Sequence, residues 1–148
     1  MSLGGDIKSA LELDTDLADL LTGGIFADVE EVNRQLTPDA FDSNEEIQPC
    51  ALIKEGTESK LQPTRRGVQT PVTIYFYQRS GYDVIEEAMA RAFDDLNEQK
   101  IGAGTWNIEH DVTIRGQRDS ALDCALGSLR FVAKRRLRPA DEIYPEVS

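Results

Sequence analysis

The chain has 148 residues, 40% of them hydrophobic and 7% aromatic, with a formal net charge of −11. That is one domain's worth of sequence, able to bury roughly 68–70% of its unfolded surface, so wholesale disorder is excluded. No run approaches the roughly 20 apolar residues of a bilayer span, the first residues carry no cationic, apolar leader, and the negative charge disfavours generic coating of polyanions, so a membrane, secreted or DNA-coating role is not expected.

In chain order, the first segment places Ile7, Ala10, Leu11, Leu13, Leu17, Leu20 and Leu21 at mostly helical spacing, with Gly23-Gly24 as the stop. Asp14-Thr15-Asp16 inside it is a helix-start signal, because short polar oxygens accept from free amides of the next turn. The segment is therefore one helix with a break, or a helix followed by a second short one. A short strand is expected over residues 24–27. Residues 28–48 are polar and acidic, with Pro38 and the run Asp42-Ser43-Asn44-Glu45-Glu46, and predict a long surface loop with at most one helical turn.

Residues 50–55 predict a strand, followed by a polar arm with Gly56, Lys60, Pro63, Arg65, Arg66 and Gly67. Residues 71–78 alternate Val72, Ile74 and Phe76 against Thr73, Tyr75 and Tyr77, the clearest strand in the chain. Residues 82–99 carry Ile85, Ala88, Met89, Ala92, Phe93 and Leu96 on one helical stripe, with Gly102 and Gly104 as terminators. Trp106, Ile108, His110, Val112 and Ile114 then alternate with polar residues as a strand with one buried face. A loop is expected over residues 115–123, and a last strand over residues 129–137, broken by Pro139.

This order, α-β-β-β-α-β-β, predicts an α+β domain: a mainly antiparallel sheet with two helices packed on one face and long mobile loops. A single domain is expected over residues 1–138, with residues 139–148 as a C-terminal tail.

Few residues point to chemistry. His110 is the single histidine, in phase with Trp106 and Ile108, and nothing pairs it with a nucleophile by recognisable spacing. Asp14, Asp16 and Asp19 resemble the opening of a calcium loop, but the sixth place holds Asp19 instead of glycine and the twelfth Ile25 instead of glutamate, so capping explains them better. Cys50 and Cys124 predict reduced, partly buried thiols and cannot form a zinc site alone. No phosphate-binding glycine loop is present. No catalytic residue, metal or cofactor is expected.

Charge is the informative feature. Residues 1–60 hold 14 acids and 4 bases, a net of −10, whereas residues 61–138 hold 12 bases and 10 acids, a net of +2. Arg130, Lys134, Arg136 and Arg138 recur at even spacing along the last strand, with Arg135 on its other side. Such a ribbon could bind phosphates, could blunt an edge strand against stray pairing, or could meet the acidic half of another copy head to tail.

The order of elements also resembles a known family. The helix containing Ile7-Lys8-Ser9-Ala10-Leu11 leads through Asp16-Leu17-Ala18-Asp19-Leu20-Leu21 to Gly23-Gly24-Ile25-Phe26. The aromatic strand runs straight into the long helix, Trp106 opens the next strand, and a strand with Arg130-Phe131 and Arg135-Arg136-Leu137 closes the domain. Over most of residues 6–138 this is similar to the tail terminator (tail completion, or neck) proteins of tailed bacteriophages. The resemblance lies in element order and general character, since the family has no catalytic signature; the long acidic stretch 28–48 and the basic last strand depart from it.

The resemblance implies a virion protein assembled in the host cytoplasm, without enzymatic activity. It implies a ring of copies, typically a hexamer, that caps the tail tube, ends its polymerisation and joins the head connector while genomic DNA passes through the lumen. On that view Lys60, Arg65, Arg66, Arg130, Lys134, Arg136 and Arg138 form contacts with a neighbouring copy or with the tube protein. Another neck component (a head-tail adaptor or minor tail protein) is the nearest alternative. A nucleic-acid-binding module using the basic strand and the Tyr75/Tyr77 face is the alternative from a different class.

Overall fold

A computed structural model describes residues 2–60 and 67–136. Among these residues seven strands form one sheet: β1 (Ile25–Ala27), β2 (Cys50–Glu55), β3 (Ser59–Lys60), β4 (Gly67–Gln78), β5 (Gln99–Ile101), β6 (Trp106–Asp119) and β7 (Cys124–Arg136). Their spatial order is β1-β2-β4-β7-β6-β5, with β3 pairing the start of β4 beyond the end of β2. Every pairing is antiparallel except β1 with β2. The expected α+β architecture is the observed one.

The helical layer is α1 (Leu3–Glu12), α2 (Thr15–Leu20) and α3 (Asp83–Leu96). The N-terminal segment is two helices because Asp14 caps the second, its carboxylate accepting from the Leu17 amide at 3.1 Å. Ser2 caps the first in the same way through the Gly5 amide, so α1 begins earlier than the apolar spacing suggests. Leu13, placed on the apolar stripe by sequence, sits between the helices and is 83% exposed. At the head of α3 the cap comes from the sheet: the buried Gln78 side chain, at the end of β4, accepts from the Val84 and Ile85 amides.

All three helices pack on one face, which we call the front. Leu3, Ile7, Leu11 and Leu17 join Ile85, Met89 and Leu96 over Ile53, Val72, Ile74, Phe76, Leu129 and Phe131. The terminators expected at Gly102 and Gly104 act one element later. The long helix stops at Leu96, Glu98 takes a positive φ of 60°, and the chain turns into β5. Gly102 is required where it stands, since it has φ 62° and a Cβ there would lie 2.6 Å from an Asp6 carboxylate oxygen. That carboxylate accepts from the Trp106 indole.

The back face departs most from the sequence reading. Residues 28–48 do not stand off the sheet as a surface loop. They fold over one half of its back, with a single 3-10 turn at Pro38–Ala40, and bury Val32, Ala40 and Ile47 against Cys50, Leu52, Tyr77 and Cys124. The residues expected as a loop at 115–123 largely extend β6, and β7 starts at Cys124, five residues before the expected strand. Cys50 and Cys124 are both buried free thiols. They lie on strands separated by β4, which puts the strands about 9–10 Å apart, and Cys124 is a further two residues out of register with Cys50, so the pair is beyond disulfide reach. Burial pushes their pKa values up to about 12 and about 11, so neither is a ready nucleophile.

Candidate interaction surface

Among the described residues nothing covers the other half of the back face, and a change of register in β6 gives it its exposed side chains. Trp106, Ile108 and His110 face the helices as expected. The ladder pairs His110 with Phe131 and then Val112 with Arg130, leaving Asp111 as an extra residue. This bulge inverts the alternation, because strand side chains have a period of two. Thr113 turns to the front, while Val112 and Ile114, assigned by sequence to the buried face, emerge on the back with 42% and 43% exposure. A second irregularity sets Arg115 and Gly116, the latter at φ 68°, opposite Gly127.

The cations of β7 lie on this open half. Arg130 is exposed and its Nε is 3.3 Å from Asp111. Lys134 donates to Glu109 at 2.8 Å. Arg136 is exposed at the end of the described strand, paired in register with Gly67. Arg135 takes the other side of the strand, as its position predicts, and is held between Glu58 at 3.2 Å and the Trp106 ring, 5.2 Å from the ring centroid. Lys60 is exposed on β3. Arg65, Arg66 and Arg138 lie outside the described residues. Of the seven expected contact cations, the fold thus places three, Arg130, Lys134 and Arg136, on one face, with Lys60 on a separate two-residue strand.

What the sequence reading missed is that two of these cations are matched by acids of the adjacent strand. Glu109 and Asp111 alternate outward along residues 107–111, and that signal was visible. Which cation each meets depends on the β6–β7 register, which spacing alone does not give. The result is a mixed-charge surface around two exposed branched aliphatics, not a bare cationic ribbon.

His110 sits edge-on to Phe93 and Phe131, with ring centroids at 4.9 and 5.7 Å, and its Nε2 is 2.7 Å from the Thr113 hydroxyl. This is an aromatic packing role at the rim of the core. Among the described residues no group of three or more His, Cys, Asp or Glu is arranged to hold a metal, and no helix is long and apolar enough to cross a membrane.

A second charged cluster joins the helices on the front. Arg91 of α3 reaches Asp14 at 3.0 Å and Asp16 at 3.1 Å. The Arg91 hydrogen bond lowers Asp14 to about 2, whereas burial and the adjoining Asp14 carboxylate raise Asp95 to about 7. Between pH of about 2 and about 7 Asp14 is ionised while Asp95 holds its proton. The Arg91 ion pairs fasten the short α2 to α3.

No family model matches the sequence, and no curated protein matches it. Among solved structures, the chain is similar to one described as belonging to the "Virion of native gene transfer agent (GTA) particle", at 14% sequence identity with a TM-score of 0.68. The alignment covers 91% of this chain and 95% of that one, so the two share a fold over nearly their full lengths.

Proposed function

We propose that this protein is a structural subunit of a phage-like virion, and within it a tail terminator: a ring of copies, most simply six, that caps the tail tube, ends its growth and presents a surface to the head connector. The observation that carries the reading is the near end-to-end likeness to a chain of the gene transfer agent virion, TM-score 0.68 over 91% of the sequence. The order of elements in the sequence, which resembles that of tail terminators, supports that component over another part of the neck. The charge split supports assembly through surfaces, with the acid-rich N-terminal part offered to cations of a neighbour or of the tube. The contact cations on this reading are Lys60, Arg65, Arg66, Arg130, Lys134, Arg136 and Arg138. DNA passes the lumen without a specific site, and the matching of Arg130 and Lys134 by Asp111 and Glu109 lowers the pull on phosphates.

Deleting the gene from the particle that encodes it tests the reading. The expected result is tails of uncontrolled length that fail to join heads. Normal-length tails left unattached would assign the protein to another neck component. Intact, infectious particles would refute a neck role altogether.

A further inference from the structure

Among the described residues the back face of the sheet is sealed over one half and open over the other, and the two halves carry opposite charge. On the open half, the described residues present four cations, Lys100, Arg130, Lys134 and Arg136, among three acids, Glu98, Glu109 and Asp111, while Lys54 at its edge donates to the Glu30 carbonyl of the covering loop. This stands out in a chain of net charge −11. Register places Lys54, Thr73, Arg130 and Val112 in one cross-strand row, with Ile114 beside Ser128 in another. The patch therefore has an apolar centre and a charged, net-positive surround, the general anatomy of a protein–protein contact. Residues 28–48, which cover the other half, hold seven acids and one arginine. They present Leu36, 47% exposed, outward with Glu31 and Asp39 also exposed.

We propose that the open half of one copy is an interface whose occupant is the outer surface of the 28–48 loop of a second copy. Leu36 seats near Val112 and Ile114, and the loop's acids meet Arg130 and Arg136. The bulge at Asp111 is the device that creates the site. Without it Val112 and Ile114 would point into the core, and the outward positions would be polar. The inference deepens the assembly part of the proposed function by naming which surfaces meet. Its success or failure is read from contacts between copies, while that of the terminator reading is read from tail length.

A photo-crosslinking residue placed at Ile114 of the full-length chain, in purified particles and in the isolated protein at low salt, provides the test. With a mixture of isotopically light and heavy chains, the expected product is a light–heavy adduct whose linked peptide lies within residues 28–48. The double variant Val112→Lys/Ile114→Lys, checked for an unchanged melting curve, should weaken self-association about tenfold or more. Restoring the match by charge exchange, Arg136→Glu with Asp39→Lys, should recover part of the association lost in Arg136→Glu alone. Adducts only to another virion protein, adducts between copies through other peptides, or association unchanged by the double variant would each overturn the proposal.

Discussion

Two halves of one sheet face, built from the same strands, meet water in opposite ways. Over the first, Cys50, Leu52 and Tyr77 lie beneath the 28–48 loop and are buried to 7% exposure or less. Over the second, Val112 and Ile114 stand more than 40% exposed among paired charges. The covered half is part of the folded monomer. The open half contributes little to the monomer and has the composition of a contact. With the proposed interface on the open half, stability and assembly are separated on one face, and substitutions should distinguish them.

The largest expected effect is on the covered half. Leu52→Ala removes a side chain that is 2% exposed and packed beneath the loop, and should cost about 2–5 kcal/mol in denaturant unfolding. Ile47→Ala, on the loop itself and 7% exposed, should fall at the low end of the same range, about 2 kcal/mol, and free the loop to exchange its amides faster. If either is silent, the loop does not seal the sheet and the comparison fails.

A smaller, pH-dependent effect belongs to the helical face. Asp95 is raised to about 7, so between pH of about 4 and 7 the folded chain holds a proton that the unfolded chain has lost, and stability falls as pH rises through that window. Asp14, lowered to about 2, acts in the opposite sense: its contribution is present above pH of about 4 and is lost as pH falls toward 2. Asp95→Asn keeps a donor facing Asp14 and removes only the first effect. Its melting temperature should stay level from pH 5 to 7 where that of the parent declines, a difference readable by thermal melts across buffers. The smallest effect is on the open half: Ile114→Ala should shift monomer stability by no more than about 0.5 kcal/mol.

How much of this was legible beforehand depends on which rule each segment obeys. The α3 stripe from Ile85 to Leu96 and the alternation of Val72, Ile74 and Phe76 follow single periods, and both were readable. Asp14-Thr15-Asp16 announced the break between α1 and α2 through capping chemistry. The loop's role was hidden because Val32, Ala40 and Ile47 recur with no period among seven acids, so composition spoke for solvent while only the fold brings them over Leu52. The outward turn of Val112 and Ile114 was hidden because a bulge is a change of period, and alternation carried past it assigns the wrong face. The cations of β7 were visible as a series. Their partners Glu109 and Asp111 required the hairpin register, which two irregularities in β6 displace.

The most direct test of the account is the position of this chain in the assembled particle, by electron cryomicroscopy of the junction between head and tail. The expected density is an annulus of identical copies seated on the last ring of the tube, with Val112 and Ile114 of each copy buried against residues 28–48 of another. Density for this chain elsewhere in the particle, or an annulus in which that face lies open to solvent, would contradict it.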